Sequence, residues 1–172
     1  EIISELARIC PWAKFHIVGG TEKDIAYWKS ELDRDNVIFH GFVPHEKIYN
    51  YSMAFDVLLA PYQKEVRGYG NGGGNLAQWM SPLKIFEYMA AGRPIIASDL
   101  PVLREVLEHN QNALLVPPQS VSRWKEALER LKNNQKLSSS LASKAKKDFR
   151  ENYTWEARAK KVLDTDFEGF KL

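Results

Sequence analysis

The chain is poor in cysteine, in methionine and in long apolar runs. Its single cysteine, Cys10, excludes an internal disulfide, and without a cysteine cluster there is no thiolate zinc site. That usage fits a reducing compartment. No run reaches the roughly eighteen apolar residues of a membrane span. Charge of either sign is also nearly lacking in excess: 24 Lys and Arg stand against 22 Asp and Glu, a net +2. This argues against nucleic acid as a partner and leaves at most weak peripheral attraction to an anionic membrane. The expected location is cytoplasmic, with contact at the inner membrane face as the secondary expectation. Glu1 opens a helical pattern and no signal peptide. Residues 1–9 read as the tail of a helix, which suggests a segment cut from a longer protein.

What is present is an ordinary globular composition, 44% hydrophobic and 27% charged over 172 residues. That length suits one domain with a sizeable core. Short β-rich runs at 15–18, 37–40, 56–60, 94–97 and 113–116 alternate with helical patterns near 23–32, 45–53, 82–91 and 100–108. Such alternation implies right-handed crossovers and an α/β fold, with a Rossmann-like parallel sheet of about five to six strands and helices on both faces. After Val116 the pattern turns all-helical, at 120–132, 135–150 and 154–167, with Pro117-Pro118 as the break and Thr154 as an N-cap. The Lys144–Lys147 stretch reads as a solvated helix face in preference to a lipid-facing patch.

One stretch fits neither pattern. Residues 63–80 carry five glycines, each costing roughly 0.5–1 kcal/mol of ordering relative to alanine. An irregular segment of this length inside a compact domain is usually functional or disordered. Its position just before the most informative helix favours function. Gly70–Gly74 follows no strand and opens no helix directly, so it is not a dinucleotide fingerprint.

The most informative segment is Ser81–Gly92, SPLKIFEYMAAG. Ser81 is a strong N-cap, Pro82 falls at the first helical position, and Gly92 supplies a C-terminal stop. Leu83, Phe86 and Ala90, with Met89 beside them, are expected to face the sheet. Free N–H groups, the positive helix end and Lys84 then converge on one point at the carboxyl edge of the sheet, a natural phosphate receptor. Glu87 sits one turn on, about 5 Å along the axis, where a carboxylate can accept from both hydroxyls of a ribose. The competing reading is a plain Lys84–Glu87 surface pair worth ~0.2–0.5 kcal/mol.

Ser81–Gly92, with the Arg93–Pro101 run RPIIASDLP after it, resembles the donor-binding domain of the GT-B glycosyltransferases of group 1 (GT4). FHIVGG at 15–20, VIFHGFVP at 37–44, NALLVP at 112–117 and Tyr153-Thr154-Trp155 are similar to further pieces of that family, in the right order. The resemblance implies one half of a GT-B fold. Residues 1–172 would form a single C-terminal donor domain, with the N-terminal acceptor domain outside this sequence. It implies a nucleoside-diphosphate-sugar donor, a UDP-sugar ahead of a GDP-sugar, and retaining transfer of a hexose to a saccharide or lipid-linked acceptor. No metal and no other cofactor is implied. Glu87 matches the ribose acid. Ser81, Pro82, Leu83 and Lys84 match the helix start that receives the diphosphate, and Lys84 would stabilise the departing charge. Gly19 and Gly20 would let backbone approach phosphate or sugar, and Phe42, Val43 and Pro44 border the base. The family's second acid, eight residues before Glu87, is here Trp79. Sugar recognition would then rest on backbone N–H groups of Trp79, Met80 and Ser81, with Arg67 or Asn75 from the glycine-rich loop. An isolated donor half is expected to bind donor and transfer little.

The remaining signals are weaker. His16 and His40 alternate with apolar strand residues and read as structural or solvent positions. His45, near a helix start, has the base or phosphate pocket as its minor alternative. Tyr62 is read as packing under the loop ahead of a place beside the sugar. Trp12, Trp28, Trp124 and Trp155 are expected to pack between helices and sheet, and Asp99 to signal a helix start. Rival functions are a nucleotide-sugar epimerase, disfavoured for want of a His/acid set, and a non-catalytic α/β module.

Overall fold

The computed structural model describes residues 2–32, 34–64 and 83–163. The elements run α1 (Ile2–Ile9), β1 (Phe15–Val18), α2 (Glu22–Glu31), β2 (Val37–Gly41), α3 (His45–Ala54), β3 (Leu58–Ala60), α4 (Leu83–Ala91), β4 (Ile95–Ser98), α5 (Pro101–Arg104), β5 (Leu114–Val116), α6 (Val121–Asn133), α7 (Gln135–Asn152) and α8 (Trp155–Leu163). All ladders among the described residues are parallel, as strand–helix alternation requires. The strands form two hydrogen-bonded groups, β1-β2 and β3-β4-β5, where a single sheet was expected. The strand count meets the lower end of the expected range. β1 and β3, which would have to join the groups, instead both back onto one cleft.

The sequence explains the central strands. β4 and β5 are apolar at nearly every position and buried throughout, the signature of strands covered on both faces. On one side, Leu6, Cys10, Phe15, Ile96, Leu114 and Trp124 anchor a core cluster beneath α1 and α6. On the other, Ile85, Met89, Ile95, Leu103 and Ala145 join α4, α5 and α7 to the sheet. Trp124 is fully buried, and its indole N–H donates to the Pro117 carbonyl at 3.2 Å, so the proline break and the helix after it are tied together.

Local signals set several boundaries. Thr21 and Asp24 form a reciprocal capping box at the start of α2. Thr154 Oγ1 accepts from the Ala157 N–H at 3.1 Å and caps α8 as expected. The Asn36 amide donates to the carbonyls of Ala7 and Ala13, joining the end of α1 to the chain entering β1. Gly92 adopts φ +66°, the left-handed stop that glycine allows after α4. Lys144 and Lys147 pair with Asp148 and Glu151 one turn on, in keeping with a solvated helix face.

Four expectations need correction. The buried stripe of α4 is Ile85 and Met89, while Leu83 is 70% exposed. Apolar residues surround this helix almost completely, so periodicity alone could not choose its inner face. Trp12 and Trp28 are partly exposed and Trp155 is 83% exposed, leaving Trp124 as the one tryptophan of the four that is buried. Asp99 does not cap α5, whose N-cap is Leu100. Its carboxylate instead takes a two-pronged ion pair from Arg104, one contact at 2.8 Å. Finally, α5 is a single turn ending at Arg104, because the chain from Glu108 to Ala113 is drawn into turns around Asn112.

Candidate functional site

The carboxyl ends of β1 and β3 and the starts of α3 and α4 open onto one cleft of about 1210 Å³, which continues between the two strand groups. Lys84, on the first turn of α4, and Glu87, one turn further, both line it together with Val18, His45 and Pro61, and the cleft runs on past Asp56 and Pro94 to Leu131 and Ser139. This is the position the carboxyl-edge rule assigns to ligands in open α/β folds.

Lys84 and Glu87 do not pair. No ion pair joins them, although Arg123 and Glu126 at the same spacing close to 2.8 Å on α6. Among the described residues neither side chain has a hydrogen-bond or ion-pair partner. A plain surface pair is therefore not what this helix presents. A cation and an anion stand side by side in a hollow, each with its hydrogen-bonding capacity unspent.

The charge on Glu87 is felt by its neighbours. Burial pushes the Tyr88 phenol up to about 12, with the nearby Tyr62 and Glu87 adding to the rise. Tyr62 rises for the same first reason, burial, and then through Glu87. Tyr88 sits over the third strand, its hydroxyl donating to the Leu59 carbonyl at 3.4 Å. The Tyr62 carbonyl accepts from Ser98 Oγ at 2.6 Å, and its ring packs against the second core cluster. Tyr62 is thus held against the core beside Glu87, while the loop it was expected to pack under lies outside the described residues. Both phenols stay neutral at ordinary pH and add no competing charge beside the carboxylate.

Two turns shape the far wall. Gly19 and Gly20 take φ +107° and +90°, and Gly41 takes +72°, conformations open to glycine at little cost. The Gly19 N–H donates to the Gly41 carbonyl at 2.7 Å, which locks the end of β1 to the end of β2. That N–H is consequently occupied. Gly19, Gly20, Phe42, Val43, Pro44 and Leu83 do not themselves line the cleft, although Gly19, Pro44 and Leu83 adjoin lining residues in the chain, and Phe42 is 83% exposed. Arg67, Asn75, Trp79, Met80, Ser81 and Pro82 lie outside the described residues. The cleft walls contributed by His45, Pro61 and Tyr88 were not foreseen as a set. Tyr88 adjoins Glu87, and Pro61 directly follows β3, so the chain order held that signal. Among the described residues, no group of three or more His, Cys, Asp or Glu could hold a metal ion.

A cation and a carboxylate of one helix thus line a cleft on an α/β scaffold of parallel strands. Residues 1–134 match the family of glycosyl transferases group 1. The chain belongs to that family. It is 26% identical over 131 residues to MJ1607, an uncharacterized glycosyltransferase of Methanocaldococcus jannaschii, covering 76% of this chain and 30% of the relative. Among solved structures, the Anabaena protein Alr3699/HepE in complex with UDP superposes with a TM-score of 0.76 at 17% identity, covering 95% of this chain and 43% of that one. Sucrose-phosphate synthase from Thermosynechococcus elongatus gives 0.71 at 24% identity, covering 94% of this chain and 40% of that one. These structures share the α/β fold of the GT-B glycosyltransferases. The chain spans less than a third of the length of the curated relative and less than half of these structural ones.

Proposed function

We propose that this chain is the donor-binding half of a GT4-type retaining glycosyltransferase, binding a nucleoside-diphosphate sugar, with UDP favoured over GDP. The observation that carries the reading is the unpaired Lys84–Glu87 couple lining one cleft at the carboxyl edge. The diphosphate would lie at the start of α4, where the helix end and Lys84 offer positive charge. Glu87, a turn further on, would accept from the ribose hydroxyls. Gly19 and Gly20, Phe42 to Pro44, and Trp79 to Leu83 would complete the donor surface around them, with Arg67 as a second cation near the phosphates.

In transfer, the bond between the anomeric carbon and the diphosphate oxygen breaks, and negative charge builds on the leaving diphosphate. Lys84 and the helix start would stabilise that charge, the main help such a site can give. UDP is favoured because nothing in Phe42–His45 reads as a carboxylate for the guanine edge, and because the Anabaena relative in fold is a UDP complex. Acceptor contacts and the remaining catalytic groups would come from a separate N-terminal domain, so this chain alone binds donor and transfers little.

Thermal melting with a panel of nucleotides and nucleotide sugars tests the reading. A ligand at about 100 times Kd adds ~2.7 kcal/mol, a rise in Tm of roughly 5–10 °C for a domain of this size. UDP should raise the melt, and Glu87→Ala should remove most of the rise. A flat panel would favour a non-catalytic α/β module and end the proposal.

A further inference from the structure

Another polar side chain of the cleft without a partner among the described residues sits at a helix start. His45 is the first residue of α3 and lines the same cleft as Lys84 and Glu87. α3 and α4 pack on one another, and the first residue of α3 and the first turn of α4 line the same cleft. Its placement follows from the turns before it. The Gly19 N–H fixes Gly41, Gly41 turns the chain at φ +72°, and Pro44 enters the helix at φ −53° and ψ 140° with no side-chain cap. A proline next to a helix start leaves little backbone freedom. His45 is therefore held at the opening by a short, stiff segment.

In the proposed donor pose, Glu87 takes the ribose and Phe42–Pro44 border the base. His45 follows Pro44 directly in the chain and shares the cleft with Glu87. It thereby links the base-bordering segment to the cleft that Glu87 lines. A neutral imidazole offers one donor and one acceptor, which can read the polar edge of a base. We infer that His45 is a specificity residue of this site, hydrogen-bonding the base of the bound nucleotide and setting which base is preferred. This inference rests on the donor-site reading and adds to it the group that discriminates among nucleotides.

The test is calorimetric titration of the chain and three variants with UDP, GDP and inorganic pyrophosphate. Loss of a neutral hydrogen bond should weaken UDP by about 3- to 10-fold in His45→Ala, with pyrophosphate affinity unchanged and the UDP-over-GDP preference reduced. His45→Phe keeps a ring without its hydrogen bonds and should behave like His45→Ala. His45→Gln keeps a donor and an acceptor and should recover part of the loss. Wild-type UDP affinity in His45→Ala would overturn the inference. So would an equal loss for pyrophosphate, which would move His45 to the phosphates, and so would full recovery by His45→Phe, which would make the contact one of stacking. If the unaltered chain binds no nucleotide, the donor-site reading itself falls. Binding by the unaltered chain with an indifferent His45→Ala removes this inference alone.

Discussion

His16 Nδ1 and His40 Nε2 lie 2.8 Å apart across the β1–β2 ladder, with their rings nearly parallel at 17°. Phe55, which caps the end of α3, and Tyr51 of α3 pack on the His16 and His40 rings, each at a centroid distance of 5.2 Å. The pair is thus where α3, which carries His45, rests on the first two strands.

That arrangement makes stability sensitive to acid. Burial, and then the His40 and Lys14 charges, hold His16 below the ordinary histidine range. The unfolded chain, with an imidazole near ~6.5, therefore binds the proton first as pH falls. Stability is full above that value and declines as pH drops from it toward the lower folded value. The melting temperature should be lower at pH 5 than at pH 7.5. His16→Gln should flatten that dependence, and an unchanged slope in the variant would assign the acid sensitivity elsewhere.

Asn112 is the most connected of the buried polar residues. It accepts from the Glu108 N–H at 2.7 Å and donates to the Val106 carbonyl at 3.2 Å and to Asp148 of α7 at 3.0 Å. Asn112→Ala strands all three groups and should cost ~2–3 kcal/mol, a fall in Tm of roughly 5–10 °C. Asn112→Asp keeps the size but sets a second carboxylate against Asp148, and should do no better. Denaturant titration of both variants checks this.

Gly92 has two reasons to remain glycine. Its φ is +66°, and an added Cβ would come within 2.9 Å of Lys146 Cδ. The lysine chain can swing aside, so the backbone strain dominates, and Gly92→Ala should lose about 1–2 kcal/mol. Gly92→Asn tolerates the left-handed conformation better and should lose less. Equal losses in the two variants would mean that the Lys146 contact governs the position.

The elements were largely legible because strand–helix alternation and capping residues act locally. Thr154 started and Gly92 stopped a helix where their chemistry dictates, and all five strand runs formed strands. What escaped depends on long-range packing. α4 is apolar on nearly every side, so only the sheet above it selects Ile85 and Met89 over Leu83. Trp12 is drawn outward by Lys132, whose ammonium lies 4.2 Å from its ring centre. The two-group pairing of the strands was likewise hidden, since β1 and β3 read as equally good partners on pattern alone. At the site, Lys84 and Glu87 were legible from one helix and its dipole. His45 had the pocket only as its minor alternative, because its approach depends on Gly41 and Pro44 turning the chain at the end of β2.

Lys84 and Glu87 should separate into two measurable roles. If Lys84 meets the diphosphate, Lys84→Ala weakens UDP and pyrophosphate together. A charge-assisted hydrogen bond of ~1.5–3 kcal/mol corresponds to about 10- to 150-fold, and added salt should shrink the difference between wild type and variant. If Glu87 meets the ribose, Glu87→Ala weakens UDP by a similar factor and spares pyrophosphate. 2′-Deoxy-UDP on the unaltered chain should then reproduce part of that loss and show no further loss in Glu87→Ala, because the missing hydroxyl and the missing carboxylate are two ends of one contact. Neither substitution should lower the melting temperature without ligand, since neither side chain has a partner to lose among the described residues. A Glu87→Ala variant that loses pyrophosphate as strongly as UDP would put the carboxylate beside the phosphates, where its charge could only repel them, and the assignment of roles along α4 would have to be abandoned.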